Sequence, residues 1–155
     1  MRIAAELHDV GKLGIPDAIL RKEGPLDAEE WAYMRRHTII GERILIAAPA
    51  LRRVARLVRA SHERWDGTGY PDRLAGQEIP IGARIVSACD AYDAMVSDRP
   101  YRTAMDEDGA RDELRRCGGT QFDAAVIDAL LTVLGTSAAV ADVEGMCVPV
   151  ASSSS

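Results

Sequence analysis

The chain has 155 residues, the span of a single domain. Apolar residues make up 47% and charged residues 28%, which excludes a disordered chain, while aromatics at 5% predict an aliphatic core. With 24 acidic against 19 basic side chains the net charge is −5, which argues against a dedicated nucleic-acid binder.

Ile3, Leu7 and Val10 fall at helical spacing, and Gly11 can end that element. The periodicity is already under way at Ile3, which predicts packing partners upstream. Residues 11–25 hold three Gly and two Pro and read as a loop with one short turn over 17–20. Asp27 and Glu30 form a capping box, with Leu26 and Trp31 as its hydrophobic staple. This helix is predicted to run through His37 to Ala47 or Ala48. A helix over about 51–64 follows, with Val54, Leu57, Val58, Ser61, His62 and Trp65 on one side. Asp66-Gly67-Thr68-Gly69-Tyr70-Pro71 breaks it, and 72–80 continue as loop. Ile81, Ile85, Ala88, Cys89, Tyr92 and Val96 mark the next helix, and two more are predicted over 108–117 and 123–134, the last capped by Thr120 and Asp123. After Gly135 the periodicity weakens and the chain ends in four Ser, which predicts a flexible tail over 135–155. No run alternates as a strand would, so the fold class is all-α, with one domain over 1–134.

No stretch reaches the roughly 18 apolar residues of a membrane span, and the charged N-terminus is unlike a signal peptide. Cys89, Cys117 and Cys147 are odd in number and form no Cys-x-x-Cys pair, which predicts a reducing, cytoplasmic setting. Cys89 is expected in the core. The basic side made by Arg52, Arg53, Arg56, Arg59 and Arg64 lacks interleaved aromatics and reads as a solvated face.

The chain holds three His, at 8, 37 and 62. His8 precedes Asp9 on what reads as a helix, His37 is in register with Trp31, Met34, Ile40 and Ile44, and His62 shares a face with Val58 and Trp65. Asp90 lies inside an apolar run, where a carboxylate is costly unless paired or bound to an ion. One core-facing His is usually a hydrogen-bonded core residue; three with an inward Asp favour a metal site, and mixed imidazole and carboxylate ligands suit Fe, Mn or Zn. Neighbouring helical side chains diverge by about 100°. His8 and Asp9 on a helix would therefore need a wide, two-metal centre.

The segments His8-Asp9-Val10-Gly11-Lys12, His62-Glu63-Arg64-Trp65-Asp66-Gly67-Thr68-Gly69-Tyr70-Pro71 and Asp90 through Ser97-Asp98-Arg99-Pro100-Tyr101-Arg102 resemble the HD-GYP branch of the HD superfamily. The resemblance covers about residues 3–134. It implies metal-dependent hydrolysis of cyclic di-GMP to pGpG or GMP, with His8, Asp9, His37, His62 and Asp90 as metal ligands and Asp9 bridging. It implies Fe or Mn as the metal, with Zn or Mg as further candidates. Asp9 and Lys12 become the catalytic residues; Lys12, Arg99 and Arg102 would contact phosphate, and Tyr70 would line the substrate pocket. Read without the resemblance, Lys12 is a solvated loop charge and Arg99 a helix C-terminal cation.

Two departures qualify this. The family carries a further His, usually with a Glu, on helices upstream of the doublet, and most members have His where this chain has Ser61. The resemblance therefore implies an HD-domain helical bundle lacking its first helices, partial metal occupancy, at most one tightly held ion, and impaired hydrolysis. The alternative is a catalytically inactive regulatory module that binds a nucleotide or a partner protein, such as a diguanylate cyclase domain, through the Gly-Tyr-Pro loop. A mononucleotide phosphohydrolase is a third reading, against which that loop speaks. An apolar face left uncovered at Ile3, Leu7 and Val10 would favour homo-oligomers.

Overall fold

The structure, a computed structural model, describes residues 2–98 and 103–144. Among them there are helices and connecting turns but no strand, only one isolated bridge between Gly118 and Phe122. The α-helices are α1 (Arg2–Leu7), α2 (Asp17–Leu20), α3 (Ala28–Met34), α4 (His37–Ile46), α5 (Arg52–Arg59), α6 (Ile81–Val96), α7 (Glu107–Cys117) and α8 (Ala124–Glu144). Short 3-10 helices lie at Val10–Gly14, Pro49–Leu51 and Gly76–Glu78. No helix is long and apolar enough to cross a membrane.

The apolar residues collect in three clusters. Leu45, Ala55 and Val58, with Leu7, Val10, Leu51 and Val54 against them, join α1, α4 and α5. Ala88, Leu114, Phe122, Val126 and Ile127 join α6, α7 and α8. Ala60, Ile79 and Ala83 sit between these two groups with Leu57 and Leu74. Leu114, Ile127 and Val58 are fully buried, and each such side chain contributes about 1.5–3 kcal/mol. The partly buried ion pair between Arg84 and Asp123, 2.7 Å, ties α6 to the start of α8.

Several helix limits differ from those the periodicity suggests. The expected 27–47 helix is broken at Arg35–Arg36 into α3 and α4. The Asp27–Glu30 capping box is present, with Asp27 accepting from the Glu29 and Glu30 amides at 2.9 Å. The expected 51–64 helix stops at Arg59, because the Ser61 hydroxyl takes the Val58 carbonyl at 2.8 Å and a turn follows. Asp123 itself caps α8 through the Ala125 amide, whereas the Thr120 hydroxyl donates to Cys117. α8 runs to Glu144, beyond the Leu134 end read from the sequence. Cys89 is exposed rather than in the core, in an apolar groove between α6 and α8. Leu7 and Val10 are packed, so of the expected apolar face only Ile3, 47% exposed, stands open.

Glycine sets the closest approach in the fold. A Cβ on Gly11 would overlap the His37 carbonyl oxygen and stand 2.5 Å from the Gly41 nitrogen. The 3-10 helix therefore lies directly on the first turns of α4, which brings the residues preceding it against His37.

Candidate metal centre

Two connecting turns and two helices deliver the site. His8 and Asp9 follow the end of α1 and precede the 3-10 helix, so they lie in a turn and not on a helix. The turn removes the 100° divergence, and the His8 Nε2 and Asp9 Oδ2 atoms stand 3.5 Å apart. His37 is the first residue of α4 and 2% exposed. His62 lies in the turn after α5, where its carbonyl accepts the Tyr70 amide at 3.2 Å. Asp90 comes from α6, with Oδ1 3.4 Å from His8 Nε2.

Asp9, His37 and His62 each direct one ligand atom into a common space, all within 4.8 Å of one another. Asp9 Oδ1 is 3.6 Å from His37 Nε2. Buried polar atoms are nearly always satisfied. Yet Asp9 Oδ1, His37 Nε2 and His62 Nε2 are three of the four buried side-chain polar atoms without a hydrogen-bond partner among the described residues. An oxygen acceptor and two imidazole nitrogens converging in this way fit a divalent transition metal. His37 is oriented for it. His37 Nδ1 donates to the Met34 carbonyl at 2.7 Å, which leaves Nε2 with its lone pair toward the cluster.

The neighbouring pair has a different character. His8 is raised to about 9 by its hydrogen bond to Asp90, helped by the Ala5 carbonyl at 2.6 Å. Burial drives His62 down to about 4, with His37 adding to the effect, and burial also lowers His37. The trio is thus neutral imidazole plus carboxylate at pH 7, flanked by an imidazolium–carboxylate pair. An unfolded His takes a proton near pH 6.5, and folded His62 takes none until about pH 4. Stability from His62 is therefore complete above 6.5 and lost as pH falls toward 4. For His8 it is complete below 6.5 and lost as pH rises through 9. The metal-free protein is expected to be most stable near pH 6.5. Thermal unfolding at pH 5.0–8.5 checks this, and His62→Gln should flatten the limb between 6.5 and 5; an unchanged limb contradicts it.

Lys12 and Tyr70 complete the surroundings. Lys12 Nζ binds Asp9 Oδ2 at 2.5 Å. The Tyr70 ring is stacked on His62, with 5.2 Å between centroids and 6° between planes, and burial pushes its hydroxyl up to about 12. Together with Trp31, Met34, His37 and His62 they line a cavity of about 420 Å³. The Arg35 guanidinium lies 5.4 Å from the Tyr70 centroid and 5.9 Å from that of Trp31. Arg35 carried no signal in the sequence beyond its charge, since its role arises from the break between α3 and α4. Arg99 and Arg102 lie outside the described residues.

Glu63 also escaped sequence reasoning. It is 3% exposed and accepts the amides of Asp72, 2.7 Å, and Leu74, 3.1 Å. Arg59 then grips Asp72 through Nε and Nη2 at 2.6 and 2.8 Å, and Glu42 of α4 through Nη1 at 2.6 Å. These contacts anchor the loop that carries Tyr70.

The sequence profile of the HD domain family matches residues 1–126. A cyclic di-GMP phosphodiesterase of Thermotoga maritima is 45% identical over 133 residues, covering 84% of this chain and 36% of that protein. A 3'3'-cGAMP-specific phosphodiesterase 2 of Vibrio cholerae is 44% identical over 130 residues, covering 83% and 25%. A solved cyclic GMP-AMP specific phosphodiesterase of V. cholerae superposes with a TM-score of 0.63 at 16% identity, covering 86% of this chain and 37% of that one, a likeness of fold. The chain spans well under half the length of these relatives. With the profile match over most of its length and the HD doublet and Gly-Tyr-Pro loop in place, the chain belongs to the HD domain family, in its HD-GYP branch.

Proposed function

We propose that this domain hydrolyses a phosphodiester bond of a cyclic dinucleotide, cyclic di-GMP, with a divalent metal held by Asp9, His37 and His62. The observation that carries this is the trio of orphaned, converging ligand atoms; the names of the relatives supply the substrate class. His8 and Asp90 are the further ligands of the proposal. Their mutual hydrogen bond must be exchanged for a second ion, which supports one tightly held metal per chain. Fe or Mn is proposed first, Zn or Mg second. Such an ion supplies Lewis acidity toward the phosphoryl oxygens and acidifies water.

The chain's own residues do the rest. Asp9 provides the anionic oxygen of the trio, and its Oδ2 holds the Lys12 ammonium at the cavity wall. From there Lys12 reaches a phosphoryl oxygen and offsets charge developing on it. Tyr70, braced by His62 and Arg35, walls the cavity and orients the nucleotide. Arg99 and Arg102 are proposed as further phosphate contacts. A cytoplasmic setting is part of the same proposal, supported by the free Cys89 and Cys117.

The test is anaerobic incubation of the protein with Mn²⁺ or Fe²⁺ and cyclic di-GMP, following pGpG and GMP. Turnover that stops with EDTA is the expected result. A folded, metal-loaded protein without turnover overturns it. The regulatory module then stands instead, binding a nucleotide or a diguanylate cyclase domain through the loop. Ser61 favours that second reading, since its hydroxyl is engaged by the Val58 carbonyl where the resemblance to this branch implies an imidazole.

A further inference from the structure

A second cavity, of about 530 Å³, lies between the α3–α4 break and the Gly-Tyr-Pro loop. Arg35 and Arg36 line it from the helices; Gly67, Thr68, Tyr70 and Arg73 line it from the loop. Its volume is that of a small-ligand site.

The charge on its walls is one-sided although the chain is acidic overall. The acids of the loop are engaged elsewhere: Asp66 by Arg64 and Thr68, Asp72 by Arg59, and Glu63 by backbone amides. Arg35, Arg36 and Arg73 have no carboxylate partner among the described residues. Two of these guanidiniums are already ordered on aromatic rings, Arg35 over Trp31 and Tyr70, and Arg36 5.3 Å from the Tyr33 centroid. Arg73 has φ of +57°, the one left-handed residue other than glycine among the described residues. Such backbone strain gathers at ligand clamps. Guanidinium forks match phosphate oxygens in paired hydrogen bonds.

We propose that this groove binds the phosphate group of a nucleotide at a site separate from the metal centre, with Arg36 and Arg73 as the anion contacts and Tyr70 as the wall common to both sites. A concave site of this size favours a small phosphorylated molecule over an acidic protein segment.

The experiment uses protein stripped with EDTA and dialysed into chelator-free buffer of low ionic strength, so that no metal offers an anion site. Inorganic pyrophosphate and GMP are titrated calorimetrically into wild type, Arg36→Ala/Arg73→Ala and Lys12→Ala. Saturable binding is expected, weakened at least tenfold in the double variant and unchanged within twofold in Lys12→Ala. Both arginines are exposed, so the double variant keeps its fold, which a thermal scan verifies. Absent binding, equal affinity in the double variant, or a loss in Lys12→Ala instead overturns the proposal. Hexaglutamate binding more tightly than pyrophosphate also overturns it and makes the groove a protein-docking surface. No turnover is measured, so the outcome is independent of the phosphodiesterase reading.

Discussion

Asp9→Ala is expected to lower Mn²⁺ affinity at least about 100-fold and to abolish cyclic di-GMP hydrolysis. Asp9 gives the trio its only anionic atom; without it two neutral imidazoles remain. Loss of residues that merely support metal ligands commonly costs 10–100-fold, so loss of a proposed ligand sits at or beyond that range. The metal-free fold should tolerate the change. Asp9 is 38% exposed at its side chain, and its Lys12 pair is of the partly exposed kind that contributes about 0–1 kcal/mol. Metal titration beside a thermal scan reads both effects. Unchanged Mn²⁺ affinity in a folded variant would remove Asp9 from the centre.

Gly11→Ala is the change expected to damage the fold most. The added methyl meets backbone, the His37 carbonyl and the Gly41 nitrogen, which have no rotamer to yield. Overpacking of this kind costs about 3 kcal/mol, which for a domain of this size lowers Tm by about 6–12 °C. The 3-10 helix must lift from α4, and His8 and Asp9 move with it, so metal affinity should fall in parallel. Gly14→Ala serves as the comparison. There the methyl meets the Ile40 side chain at 3.0 Å, which can shift. Similar melting temperatures for the two variants would show that the 3-10 helix and α4 are not in the close contact described.

The grouping of Asp9, His62, Lys12 and Tyr70 was legible because their residue types stand in motif segments, whose spacing survives errors in secondary structure, and that of His37 because it falls on the apolar side of its helix. The elements beneath them were less legible. Leu57, Val58, Ser61, His62 and Trp65 keep a helical rhythm, but the α-helix stops at Arg59. A turn can present the same face inward while its hydroxyls, here Ser61, replace the helical hydrogen bonds. The break at Arg35–Arg36 has no Gly or Pro to announce it. Glu63 carried no structural signal of its own because its partners are amides 9 and 11 residues away. Cys89 fell on the apolar stripe of α6, yet that stripe is wider than what packs on it.

The convergence of Asp9, His37 and His62 is supported by backbone contacts around them. Their positions follow from the backbone contact at Gly11, the Met34 carbonyl and the anchored turn after α5. Many small metalloproteins collapse when chelated, because their ligation energy is their folding energy. Here the backbone contacts that place the three side chains predict that the two are separable: a chelator should empty the centre without unfolding the domain, and a metal added back should meet the same three side chains in place.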